Sequence, residues 1–155
     1  MQKVQVQIAS AALAQGQARW IATLDPWREM GYEPRRLGRW LGRIVRAATH
    51  RVLVASDGRR TLGLIVVQPG VLLGDFIALL AVRPEAAGQG IGSALLGAVE
   101  QETFSRQRWL YVSHDASNRK AARFYRRQGF RRAAHLPDMV VKGRTEILLR
   151  KGRSR

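Results

Sequence analysis

The chain has 155 residues, 46% of them hydrophobic and spread along its length, which fits one domain with a buried core and excludes a disordered polyelectrolyte. It holds no cysteine, which excludes disulfides, thiolate metal sites and a cysteine nucleophile, and no run of about 18 apolar residues that would cross a membrane. Lys and Arg number 27 against 11 Asp and Glu, a net charge of +16 that favours anionic partners without naming one, since an Arg-rich composition gives the same sum. The opening MQKVQVQIAS lacks the apolar stretch of a secretory signal, so the expected location is cytoplasmic. No metal is expected.

In chain order, Val4, Val6 and Ile8 alternate with Gln and predict a half-buried strand. Ser10 is placed to cap a helix running to about Leu24, which Asp25 and Pro26 end. A second helix is predicted from about Pro34 to Thr49. Its stripe is Leu37, Trp40, Leu41, Ile44, Val45 and Ala48, with Arg36, Arg39, Arg43 and Arg46 spread over the other face. Arg51 to Ala55 and Leu62 to Val67 form a hairpin about Ser56-Asp57-Gly58. Pro69-Gly70 predicts a break, and Phe76 to Val82 a strand buried on both faces. A helix follows from Gly90 to about Gln107, with Ile91, Leu95 and Val99 on one stripe. Then come a strand at Trp109 to Ser113, a helix from Asn118 to Gln128, a strand opening at Phe130, and a last strand from Glu146 to Arg150. This order describes one α/β domain over residues 1–155 with a mixed sheet.

The densest signal is AVRPEAAGQGIGSALL, Ala81 to Leu96: a strand, a proline stop, three alternate glycines (Gly88, Gly90, Gly92) and a helix. Glycines at a helix start are costly unless something must come close to the backbone. The first turn of a helix has unpaired N–H groups and the positive end of the dipole, a natural cradle for phosphate oxygens. A dinucleotide fingerprint would need a third glycine where Ser93 stands and an acid where Arg108 stands. A Walker loop would need Gly-Lys-Ser or Gly-Lys-Thr, which is absent. A glycine turn that merely packs on the sheet is the bland alternative.

The second signal is NRKAARFYRRQGF, Asn118 to Phe130. On a helix Asn118 and Tyr125 lie two turns apart on one face, about 10 Å along the axis, with Ala121 and Ala122 between them. A polar group, two small residues and a phenol describe a groove for a thin polar chain. The bland reading of Tyr125 is a packing phenol.

Together these segments resemble the GNAT superfamily of acetyl-CoA-dependent N-acetyltransferases. The family's pyrophosphate loop is Arg/Gln-x-x-Gly-x-Gly/Ala, matched at Gly90 and Gly92, with Ala87 standing where Arg or Gln is usual. Its later pattern is matched at Asn118, Ala121, Phe124, Tyr125, Gly129 and Phe130. The resemblance implies a mixed, mostly antiparallel sheet with a splay between the two central strands and helices on both faces. It implies that backbone groups of Leu80, Ala81 and Val82 bind the pantetheine and acetyl carbonyl. The turn Gly88, Gln89, Gly90, Ile91, Gly92 and Ser93 would hold the pyrophosphate, and Asn118 would touch the arm. Tyr125 would contact the cofactor and act as general acid toward the departing thiolate, in a direct transfer with no covalent enzyme intermediate.

The general base stays open among Asp75 near the start of the central strand, His114 just beyond the strand Trp109 to Ser113, Glu146, and a water chain. The segment SHDAS, Ser113 to Ser117, looks about two residues longer than the family's approach to its Asn. The resemblance implies as acceptor a primary amine, of a small or amino-acid-like molecule or of a protein. Asp25 to Pro34, with Trp27 and Tyr32, is the candidate wall of its pocket. Two rivals remain on the same fold: a non-catalytic CoA-binding module, and a basic nucleic-acid-binding module built on Pro34 to Thr49 and the tail at Lys151, Arg153 and Arg155. Trp40 lies on the apolar stripe and no nucleic-acid motif is present, so neither nucleic acid nor membrane is expected as a partner. A homodimer is left open.

Overall fold

A computed structural model describes residues 3–154. Seven strands, β1 (Gln5–Ile8), β2 (Arg51–Ser56), β3 (Thr61–Val71), β4 (Gly74–Val82), β5 (Trp109–Asp115), β6 (Arg131–Pro137) and β7 (Thr145–Gly152), hydrogen-bond in the order β1-β2-β3-β4-β5-β7-β6. β4 and β5 are parallel, while β1–β2, β2–β3, β5–β7 and β6–β7 are antiparallel. The helices are α1 (Ala11–Gly16), α2 (Ala18–Ile21), α3 (Pro34–Arg46), α4 (Ile91–Arg106) and α5 (Arg119–Arg127). The chain forms two compact units: Met1–Pro69 with Ala78–Val99, and Gly70–Ile77 with Glu100–Arg155. Their boundaries fall inside β3, β4 and α4. No helix among the described residues is long and apolar enough to cross a membrane.

In the first unit, Ala14, Ile21, Leu37, Leu41 and Ile44 of the early helices pack against Val52, Val54, Leu64, Val66, Leu79 and Ala81. β3 is buried on both faces from Thr61 to Val67. On its other face Gly63 admits α4: a Cβ there would come within 2.8 Å of Ile91 and 3.1 Å of Leu95. In the second unit Leu110, Val112, Tyr125, Phe130, Ile147 and Leu149 form the core.

Several local expectations are corrected. Ile8 is 81% exposed, since β1 pairs only with β2 and is an edge. The first helix is two short ones that meet at Gln17, whose side chain bonds Leu13 O and accepts from Trp20 Nε1 instead of facing solvent. Ser10 does cap α1, accepting from Leu13 N at 3.1 Å. α3 ends at Arg46, short of Thr49, where Ala48 turns to φ +53°. Trp40 is half-buried and packs on the core, so the apolar stripe accounts for it. Pro69-Gly70 lies within β3, and the reversal sits at Leu72-Leu73, both in the left-handed region at φ +48° and +63°. That turn is held by Tyr111 Oη donating to Leu72 O at 3.0 Å and Gly70 N donating to Asp75 Oδ1 at 3.3 Å.

Candidate active site

The first unit carries the outgoing end of β4 and the glycine turn. β4 is not buried on both faces there: Leu79 and Ala81 are buried, Ala78 is exposed, and Leu80 and Val82 are half-buried. A strand with one closed apolar face and one partly open apolar face can line a ligand channel. The parallel register of β4 with β5 runs from Gly74↔Trp109 to Ile77↔Val112, whereas β4 continues to Val82 and β5 to Asp115.

Past Val82, Arg83 anchors the turn. Its N–H donates to Leu62 O at 2.8 Å, its Nε to Thr61 O at 2.7 Å, and its guanidinium lies 4.8 Å from the Trp20 ring centroid. A 3-10 turn, Pro84–Ala86, leads to Gly88 and Gly90 at φ +77° and +78°. A Cβ at either glycine would meet nothing within 4 Å, so conformation and not crowding demands glycine, and the space beside the backbone is open. The first rung of α4 is Ala94 N to Gly90 O at 2.9 Å. The N–H groups of Ile91 and Gly92 precede that rung and lie outside the helical ladder. No acid stands in the first turn of α4 to neutralise its positive end.

The second unit carries the remaining candidates. Asn118 is the N-cap of α5: its Oδ1 accepts from Ala121 N at 3.1 Å, leaving the amide NH2 to donate elsewhere. Tyr125 is 7% exposed and stands edge-on to Phe124 and Phe130, with centroids 5.1 and 5.5 Å away. Burial pushes its phenol above the ordinary value, so it stays protonated through the neutral range. No hydrogen bond to the Tyr125 hydroxyl is made by a described residue, and the hydroxyl is not among the buried side-chain atoms left without a partner, so it reaches open space.

His114 is not beyond its strand. It is the sixth residue of β5, 6% exposed, because pairing with β7 extends to His114↔Ile147 and Asp115↔Glu146. Its Nδ1 lies 2.7 Å from Asp115 O. A carbonyl only accepts, so Nδ1 carries the hydrogen and the neutral ring keeps its lone pair on Nε2. His114 also lines a cavity of about 640 Å³ with residues of α5, β6 and β7.

Asp75 has a different setting. It is fully buried, with Thr103 Oγ1 donating at 2.7 Å, Gly70 N at 3.3 Å, and the Arg106 guanidinium 4.0 Å away. It stands seven residues before Val82 at the opening of β4, and its carboxylate ties the Leu72-Leu73 hairpin to α4. These partners give Asp75 a part in holding the hairpin against α4. Asp75→Asn is expected to lower unfolding free energy by about 1–2 kcal/mol, because one amide N–H must then face a donor. Urea unfolding with acetyl transfer measured per folded molecule checks this; a loss of turnover without a loss of stability would place Asp75 in the chemistry.

Glu146, at the second position of β7, accepts from Ser113 Oγ at 3.1 Å, and burial raises its carboxyl above the usual range. Asp115 beside it is held low by the Ser117 hydroxyl, with Arg144 at 2.8 Å adding to that. Among the described residues no group of three or more His, Cys, Asp and Glu could hold a metal.

The sequence pattern of the acetyltransferase (GNAT) domain matches residues 48–132. An uncharacterized N-acetyltransferase of Methanocaldococcus jannaschii is 39% identical over 75 residues, covering 47% of this chain and 48% of that protein. The match thus spans about half the length of that relative. Among solved structures, a GNAT-family protein from Desulfovibrio desulfuricans superposes with a TM-score of 0.79 at 19% identity, covering 98% of this chain and 100% of that one. A GNAT acetyltransferase of Elizabethkingia anophelis, solved with acetyl-CoA bound, gives 0.75 at 17% identity, covering 98% and 99%. These likenesses agree on the fold.

Proposed function

The chain belongs to the GNAT acetyltransferase family, and from that premise we propose that it transfers an acetyl group from acetyl-CoA directly to a primary amine of a small, amino-acid-like or protein acceptor. The observation that carries this reading is the turn Gly88–Ser93, where two left-handed glycines open onto the unneutralised N-terminus of α4. That geometry suits a diphosphate, with main-chain N–H groups as donors and no lysine needed. Backbone groups of Leu80, Ala81 and Val82 line the pantetheine arm, and a donor near Val82 stabilises the oxyanion formed on attack. The amide NH2 of Asn118, not needed for capping, donates to the arm. Tyr125 protonates the departing thiolate, a role that suits a buried phenol with an unengaged hydroxyl. His114, with its lone pair held at Nε2, takes the proton from the acceptor ammonium.

At a concentration one hundred times its Kd, acetyl-CoA is expected to stabilise the folded chain by about 2.7 kcal/mol, raising Tm by roughly 5–10 °C. A duplex oligonucleotide at physiological salt is expected to leave Tm unchanged. Thiol release that requires an amine, measured across small amines, amino acids and N-terminal peptides, then identifies the acceptor class. Protection without amine-dependent thiol release would leave a CoA-binding module and remove the enzyme. Protection by the duplex alone would favour the nucleic-acid reading.

A further inference from the structure

The cavity beside α5 carries three arginines for which the proposed acetyl transfer has no use. Its wall includes His114, Arg126, Arg131 and Arg132, over a floor that includes Phe130 and Leu149. Phe130 and Leu149 are buried at 3% and 5% exposure, so the floor is fixed and apolar. None of the three guanidinium groups has a hydrogen-bond or ion partner among the described residues. In the same unit Arg144 pairs with Asp115 and Lys151 with Glu100, each at 2.8 Å, while Arg119, Lys120, Arg123 and Arg127 are as unpartnered as the three; what sets the three apart is that they border one cavity. From residue 116 to residue 137 the chain has no Asp or Glu, while seven Arg and Lys occur between 119 and 132. Asp138, the next acid along the chain, accepts from Gly143 N at 2.6 Å within its own loop.

Three like charges border one volume, exposed and partly screened by water, and no counter-charge among the described residues pairs with them to offset the rest. An anion in the cavity would. Guanidinium forks match planar pairs of oxygens, and three of them exceed what one carboxylate with two oxygens and a single charge can satisfy. A phosphate group offers three or more terminal oxygens and close to two charges. We propose that this cavity is a phosphate-binding site, held by Arg126, Arg131 and Arg132, for a small phosphorylated molecule or free phosphate. The site lies wholly within the second unit and is independent of the assignment of Gly88–Ser93 to the diphosphate.

The test is calorimetric titration with inorganic phosphate, glycerol phosphate and a single-stranded RNA oligomer, at matched ionic strength in chloride. Three proteins are compared: wild type, Arg126→Gln/Arg132→Gln, and Arg39→Gln/Arg43→Gln on the exposed face of α3, which removes the same charge elsewhere. Wild type is expected to bind one phosphate or glycerol phosphate. The α5–β6 pair should weaken that at least about tenfold, as loss of charge-assisted hydrogen bonds requires, while the α3 pair leaves it unchanged. A preference for glycerol phosphate assigns the site to a phosphoester, and equal binding to free phosphate. Equal weakening by both pairs would mean a diffuse positive field and overturn the site, as would saturation by the RNA alone. Loss of acetyl-CoA protection together with phosphate binding would overturn it too, because the arginines would then be serving the cofactor's own phosphates. Ala122→Leu narrows the cavity at constant charge and guards against a folding artefact in the arginine pair. Undiminished phosphate binding by that variant also counts against the proposal.

Discussion

Tyr125→Phe is expected to lower kcat by about 10²–10⁴, the usual contribution of a positioned general acid, while acetyl-CoA protection against unfolding is nearly preserved. The ring lies among Phe124, Phe130 and the core of its unit, so removal of one oxygen leaves the packing as it is. What disappears is the only proton in that ring able to reach a thiolate. An interaction made only in the transition state lowers kcat and kcat/KM together, and that pattern is the signature to look for. A substrate series with progressively more acidic leaving thiols sharpens the test, since the variant should recover toward wild type as protonation becomes unnecessary. Unchanged turnover with the ordinary cofactor would remove the phenol from the chemistry and leave it a wall.

Gly90→Val is expected to weaken acetyl-CoA binding by about a hundredfold, with a loss of stability of about 1–2 kcal/mol. There is room for the side chain, because nothing stands within 4 Å of the new Cβ. The penalty comes from φ +78°, which a β-branched residue adopts only under strain. The backbone would relieve that strain by rotating the peptide before α4, which turns N–H groups away from the bound anion. Losing two charge-assisted hydrogen bonds gives the hundredfold figure. Gly97→Ala, on an exposed position of the same helix, serves as the control and should be stabilising or neutral. Isothermal titration settles the matter: an unaltered affinity for acetyl-CoA in Gly90→Val would mean that the turn holds no diphosphate.

What could be read directly from the sequence was local chemistry. The glycine turn around Gly88 and Gly90 and the end of α5 before Phe130 follow from backbone rules that act over four or five residues; that Asn118 caps α5 and does not open it was not read. The missed features depend on partners far along the chain. Leu80 and Val82 are apolar, so a strand with one open face reads the same as one covered on both; only the element opposite decides. His114 belongs to β5 because β7 pairs that far, and nothing in SHDAS announces it. The reversal at Leu72-Leu73 defeats a stronger turn signal at Pro69-Gly70, because Asp75 and Tyr111 hold the hairpin in place. The bond from Thr103 to Asp75 joins residues 28 apart, so the sequence around Asp75 does not announce it.

The chain passes between its two compact units inside β3, inside β4 and inside α4, never in a loop. Every crossing therefore lies inside a strand or a helix. A gene cut at any of the three points would leave both fragments with part of an element each. Neither half is expected to be recoverable alone, and denaturant should melt both in one transition.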